Sequence, residues 1–238
     1  MNVDLRRVQA ADNPVAFLAY RPRRPRGVSI VAGHGYSSSK HNLDFLCSFL
    51  ASHGYGVFSL DFPGHKLGAS GGTLRGVEDL IGAMAAVVEH ARGNAEAPVY
   101  VMGHSMGAMT ALFVAAMDAE IAGLVAIATG YGRPSAVEAL QSKGATDFRS
   151  SYVHGVSLPD LVREVDGRFA RALPKLQGRR QLYVAASRDA MVSRSSVEDL
   201  YNRAPDPKTF VTIESDHTYA AEHARAEVLQ WLNERHPR

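Results

Sequence analysis

Apolar residues fall in continuous runs along most of the chain. Val28–Ala32, Val57–Asp61, Val99–Met102, Ile121–Ala128, Leu182–Ala186 and Thr209–Ile213 each read as a strand, with Val15–Tyr20 ahead of them. A strand that is apolar on both faces is covered on both, as in a parallel sheet held between two helix layers. The intervening segments Leu43–His53, Val77–Arg92, Ala108–Met117, Val197–Arg203 and Tyr219–Glu234 carry apolar positions at helical spacing. After an opening hairpin, strand and helix therefore alternate, which predicts an α/β domain with a mostly parallel sheet. In the final segment Val228, Trp231 and Leu232 form one apolar face that docks the C-terminal helix on the sheet. The basic run Arg21-Pro22-Arg23-Arg24-Pro25-Arg26 lies between the first two strands and reads as the solvated loop of the hairpin.

Residues 130–180 break the alternation. Leu158, Leu161, Val162, Val165 and Phe169 recur there at helical spacing. A long structureless loop inside a compact domain is unusual, so this segment is expected to be a small helical cap inserted into a core made of 1–129 and 181–238. It holds nine Lys or Arg against five Asp or Glu. That excess reads as a soluble outer face rather than as a selector for anionic substrates.

Bulk properties narrow the classes. A chain of 238 residues suits one large domain, and its net charge of +2 gives no reason to expect nucleic acid as a partner. Cys47 is the only cysteine, so no internal disulfide can form, and on a predicted helix it reads as a small buried hydrophobe. No run approaches the ~18–20 apolar residues that span a bilayer, so stable membrane insertion is not expected. A cytoplasmic location is the default expectation, and oligomeric state is left open. With no His-Glu-x-x-His, no Cys-x-x-Cys and no dinucleotide or phosphate loop, neither a metal nor another cofactor is expected.

The most informative stretch is Val99-Tyr100-Val101-Met102-Gly103-His104-Ser105-Met106-Gly107, a strand running through Gly-x-Ser-x-Gly into an Ala/Met-rich helix. Such a turn holds a serine hydroxyl clear of the strand's carboxyl end, where it can act as a nucleophile. A serine hydroxyl is a weak nucleophile at neutral pH and needs a base, itself oriented by a carboxylate. Asp189 follows the strand Leu182–Ala186, and His217 follows the strand Thr209–Ile213. These are the expected acid and base. His104 next to the serine is expected to face away from the site, and His34 and His65 in Gly-rich loops suit structural hydrogen bonds. His223 is the rival base, and Asp216 is expected to shape the loop around His217. The oxyanion donors are expected to be the Met106 N–H, which follows the nucleophile, and the Tyr36 N–H in the loop Gly33-His34-Gly35-Tyr36-Ser37.

His34-Gly35-Tyr36, Asp61-Phe62-Pro63-Gly64-His65, Gly103-His104-Ser105-Met106-Gly107, Asp189 and His217 together resemble the α/β-hydrolase superfamily over nearly the whole chain. Within it the pattern is most similar to small carboxylesterases, including cinnamoyl and feruloyl esterases and monoacylglycerol-lipase-like enzymes. Where those usually read Gly-His-Gly-x-Ser, this chain has the longer Gly64-His65-Lys66-Leu67-Gly68-Ala69-Ser70-Gly71-Gly72. The resemblance implies an α/β-hydrolase fold and a serine hydrolase that cleaves a small-molecule ester through an acyl-enzyme. Tyr36, Met106, Tyr152, Val153, Leu158 and Met191 are the expected pocket residues. A thioesterase or small-peptide hydrolase would use the same residues, and a non-catalytic ligand receptor is the alternative from another class.

Overall fold

The apolar runs become the middle of one eight-stranded sheet. In the computed structural model, residues 1–94, 98–131, 148–165 and 167–237 are described. The strands are β1 (Asn2–Ala10), β2 (Asn13–Arg21), β3 (Ser29–Gly33), β4 (Gly56–Leu60), β5 (Val99–His104), β6 (Gly123–Ile127), β7 (Arg180–Ala186) and β8 (Lys208–Ile213). They lie in the order β1-β2-β4-β3-β5-β6-β7-β8. The pairs β1–β2 and β2–β4 are antiparallel, and all other neighbours run parallel.

Both faces are covered, as the apolar runs require. Helices α2 (Val77–Asn94) and α3 (Met106–Met117) pack on one face with Val31, Val101, Leu124 and Tyr183. Helix α1 (Asp44–Ser52) packs on the other with Ile30, Met102 and Val184. Residues Met106 to Ala115 of α3 are all buried, which explains why that helix is apolar all round instead of amphipathic. Cys47 is fully buried in α1. Downstream, α4 (Leu158–Val165), α5 (Arg168–Ala172) and a 3₁₀ turn at Leu173–Leu176 precede β7, and α6 (Arg194–Arg203) precedes β8. Of the expected cap, residues 132–147 and 166 lie outside the described residues. Leu161, Val165 and Phe169 are buried, and Phe169 meets Phe113 of α3 at 5.2 Å between ring centroids.

Two expectations need correction. The segment Arg21–Arg26 is not a hairpin loop, because β4 separates β2 from β3; the hairpin is β1–β2, turned at Ala11 with φ 47°. Nor is the segment freely solvated: Arg26 donates to the carbonyls of His53 and His236 and covers the Tyr55 ring. The second correction concerns the C-terminal helix, which breaks at Ala224 into α7 (Ala220–His223) and α8 (Arg225–Asn233). Its apolar face nevertheless docks as expected, with Val228, Trp231 and Leu232 buried. Among the described residues, no helix is long and apolar enough to cross a membrane.

Candidate active site

Four loops at the carboxyl ends of parallel strands meet above the sheet. The chain leaves β5 at Ser105 with φ 53° and ψ −116° and enters α3 one residue later. A positive φ is costly for a residue with a side chain, and such strain persists only where the surroundings enforce it. Here they do so through contact and hydrogen bonding. The Ser105 N–H donates to the Ile127 carbonyl at 2.9 Å, and its carbonyl accepts from Ala108 and Met109. Gly103 and Gly107 make the turn possible: a Cβ on Gly107 would strike the Gly33 and His34 carbonyls, and one on Gly103 would strike the Gly107 main chain.

The loop after β7 presents Asp189 with its side chain fully buried. Its Oδ1 accepts the N–H groups of Met191 and Val192, both at 2.8 Å, and its Oδ2 accepts His217 Nδ1 at 2.7 Å. Burial pushes this carboxyl up, but the His217 and main-chain donors outweigh it and hold it below the usual carboxylate range. With Nδ1 donating to the carboxylate, Nε2 is the nitrogen left to act as a base. Asp216 accepts the Tyr219 N–H at 3.0 Å and so shapes the loop that carries His217, as expected. His223 stacks on Tyr219 instead of approaching Asp189.

Ser105 and His217 line one cavity of about 250 Å³, with no hydrogen bond between their side chains. Gly35, Tyr36 and Met106 form the floor beside Ser105, and Leu158, Leu161 and Phe169 bring the apolar face of α4 and α5 over it. As the first residue of α3, Met106 has an N–H without an intrahelical partner. The Tyr36 N–H meets no acceptor among the described residues.

Leu158 and Met191 line the cavity, whereas Tyr152 and Val153 do not. Their segment is sewn instead onto the longer loop after β4. The Lys66 N–H donates to the Tyr152 carbonyl, the His154 N–H to Gly64 and the Val156 N–H to Leu74, while His65 bridges to Val153. Backbone pairing turns the Val153 side chain into the core, 6% exposed. Gly64, His65, Lys66 and Leu74 thus supply the edge on which residues 152–156 dock.

His104 does not face away. Its ring lies in the cavity wall, 4.8 Å from the His217 ring, and its Nε2 donates to the His217 carbonyl at 2.8 Å. Burial, aided by repulsion from His217, lowers its pKa to about 3, so it stays an uncharged donor that anchors the loop. His34 is structural, as expected. Its Nδ1 donates to the Gly35 carbonyl and its Nε2 accepts the Phe62 N–H.

Asp61 of the Asp-x-x-Gly-His stretch forms a buried ion pair behind the Tyr36 loop, and its partner Lys40 had no signal in the motifs. Lys40 Nζ lies 2.6 Å from Asp61 Oδ2, with the two side chains 4% and 0% exposed. The Lys40 N–H donates to Asp61 Oδ1 and the Ala69 N–H to Oδ2. One carboxylate therefore ties the loop after β3 to the loop after β4. Among the described residues, no group of His, Cys, Asp and Glu is placed to hold a metal ion.

Residues 23–213 match the model of the family described as serine aminopeptidase, S33. Curated protein sequences contain no match to the chain. Solved structures that superpose over nearly its full length include the esterase Pf2001 of Pyrococcus furiosus, 21% identical, with 98% of this chain and 92% of that one covered at a TM-score of 0.72. The esterase domain of a Rhodothermus marinus protein is 18% identical, with 98% and 99% covered at 0.73. Est1E of Butyrivibrio proteoclasticus, solved with ferulic acid bound, is 17% identical, with 97% of each chain covered at 0.72. At these identities the likeness establishes a shared α/β-hydrolase fold.

Proposed function

The chain belongs to the serine aminopeptidase S33 family of hydrolases, and from that premise we propose that it is a carboxylesterase working through a Ser105–His217–Asp189 triad and an acyl-enzyme. The observation that carries this reading is the 2.7 Å His217–Asp189 hydrogen bond at the cavity lined by Ser105, which is held at φ 53°.

In the first half-reaction His217 Nε2 takes the Ser105 proton as Oγ adds to the ester carbonyl carbon. The N–H groups of Met106 and Tyr36 stabilise the oxyanion, each such donor being worth on the order of 10²–10³ in rate. As the carbonyl re-forms, the carbon–alkoxy bond breaks and the alcohol leaves with the proton from His217. Water then repeats the sequence on the acyl-enzyme, releasing the acid and restoring Ser105. Asp189 holds the ring with Nδ1 protonated and balances the imidazolium. Helices α4 and α5 act as the cap that roofs the cavity. At about 250 Å³ the cavity fits small or medium acyl groups.

The family description favours a second reading, amide hydrolysis next to a free amino terminus. That substrate brings an α-ammonium, which calls for a carboxylate in the pocket. Among the described residues none lines it, and its only Lys or Arg is Arg149. The ester reading is preferred on this ground.

A fluorophosphonate probe tests the proposal: it is expected to label the protein at Ser105 and to leave Ser105→Ala unlabelled. Labelled protein that turns over aminoacyl amides but no ester would replace the ester reading with the amide one. Folded protein that takes no label would remove the catalytic reading and leave a ligand receptor.

A further inference from the structure

One cavity-lining side chain plays no part in the chemistry above. Arg149 lines the same cavity as Ser105 and His217. Its Nη2 donates to Met191 Sδ at 3.4 Å, and this is its only side-chain polar contact among the described residues. A thioether is a weak acceptor, while a guanidinium offers five donors in a planar fork.

Of the other described cations in this region, Arg171, Lys175 and Arg180 are exposed and do not line the cavity, and three are committed elsewhere. Arg163 is paired with Asp160, and Arg168 with Glu78 and Glu164. Arg179 donates to the carbonyls of Ala115, Asp118 and Ile121. Arg149 is half-buried and lines the cavity together with Leu158, Val162 and Phe169, with no carboxylate in the described lining to balance it. Withdrawing a charge from water among apolar groups is unfavourable unless a counter-charge arrives.

Met191 is two residues from Asp189 and donates its N–H to that carboxylate, so its side chain fixes the guanidinium next to the loop that holds the catalytic base. We propose that Arg149 is a specificity residue that pairs with a carboxylate on the substrate, so that the preferred ester carries one negative charge besides the scissile bond. This rests on the ester reading above and names its substrate class. A carboxylate fits better than a phosphate, because one guanidinium balances one charge and no second cation lines the described cavity. Among the described cations of residues 130–180, Arg149 is the one that lines the cavity.

Two ester pairs locate the charge. Monomethyl glutarate against its terminal amide places it on the acyl side, and 4-acetoxybutanoate against 4-acetoxybutanamide places it on the alcohol side. In one pair the acid is expected to exceed the amide in kcat/KM by roughly 10- to 100-fold, as for a charge-assisted hydrogen bond. The ratio should fall to about 1 in Arg149→Met, whatever the absolute rates, and be largely kept in Arg149→Lys. A wild-type ratio near 1 in both pairs overturns the proposal, as does a ratio unchanged in Arg149→Met or lost equally in Arg149→Lys.

Calorimetric titration of the same four compounds into Ser105→Ala and Ser105→Ala/Arg149→Met provides a readout independent of turnover. An acid-over-amide preference seen in the first protein and absent from the second supports the site, and equal binding of acid and amide by the first rejects it. If that binding preference holds while wild-type protein cleaves no ester, the ester reading fails and the anion site stands.

Discussion

Replacing Lys40 with Met tests how the Tyr36 loop is held. The substitution leaves Asp61 ionised and fully buried, with the Lys40 and Ala69 N–H groups as remaining donors and the ammonium at 2.6 Å gone. Breaking a buried pair in this way typically costs 3–5 kcal/mol, because the surviving charge is uncompensated. For a domain of this size that is a fall in Tm of roughly 6–20 °C. The pH dependence identifies the cause. In the wild type, burial pushes the Asp61 carboxyl up, but the Lys40 side chain and the main-chain donors hold it below its ordinary value. Its stabilisation is therefore complete above the unfolded carboxylate pKa and is lost as pH falls through the folded value. In Lys40→Met burial dominates and the folded pKa rises above the unfolded one, so acid relieves the variant by protonating Asp61. Urea unfolding should show the gap between wild type and variant largest near pH 7 and narrowing below about pH 5. Turnover of p-nitrophenyl acetate should fall by about 10² at temperatures where both proteins are folded, since small displacements of catalytic donors have effects of that order. A stability gap under about 1 kcal/mol, or one equally large at pH 4 and pH 7, would refute the argument that the pair clamps this loop.

Three further outcomes follow from the geometry. Asp189→Asn presents an amide N–H to His217 Nδ1 and favours the wrong tautomer, so kcat for esters should fall by ~10⁴ with the fold intact; a loss below tenfold places the acid elsewhere. Gly107→Ala forces a methyl group against the Gly33 carbonyl and should cost roughly 1–3 kcal/mol in urea unfolding, with a larger loss of turnover as the Tyr36 loop shifts; unchanged kcat counts against that loop as the oxyanion donor. Buried His34 and His104 both titrate near pH 3, so below about 6.5 the unfolded chain binds their protons and the native state does not. Stability is present above that value and should fall as pH drops from 6.5 toward 5, by roughly 3 kcal/mol in all for two groups; a flat urea midpoint across this range contradicts their burial.

How far the chain could be read depended on whether a feature leaves a local trace. Strands β3 to β7 were legible because burial on both faces forces uninterrupted apolar runs, and β8, a half-buried edge strand, was legible from its run of β-branched and aromatic residues. Strand β1 was not, because as an edge strand it alternates exposed and half-buried positions and leaves Leu5 51% exposed, which is hard to tell from a polar terminus. The Gly-x-Ser-x-Gly turn was legible because its glycines answer a steric demand within five residues. Asp189 and His217 were read from their places just after strands, and the structure brings them to 2.7 Å of one another. The Lys40–Asp61 pair joins a motif residue, Asp61, to Lys40, which is individually ordinary. Neither charge reveals in sequence that it is buried, because that depends on how two loops cross above the sheet.

Specificity is the least legible layer for a related reason. The cavity is assembled from the loop after β3, the start of α3, the segment around Arg149, helix α4 and the loop after β7, and no short pattern spans those pieces. Two mistaken expectations have this origin. Tyr152 and Val153 are near Leu158 in sequence, but the hydrogen bonds to Gly64, Lys66 and Leu74 turn their segment into an edge on the longer loop, so chain proximity did not become proximity to Ser105. His104 was expected to point away because it precedes the nucleophile, yet the sharp turn at Ser105 swings its ring beneath His217, where a neutral Nε2–H holds the loop's carbonyl. On the proposed mechanism the elbow therefore sets two distances at once. It lifts the hydroxyl toward the cavity, and through the preceding residue it anchors the base that must meet it. Substituting Asn for His104 would separate these roles, since Ser105 keeps its main-chain bonds while the His217 loop loses its support.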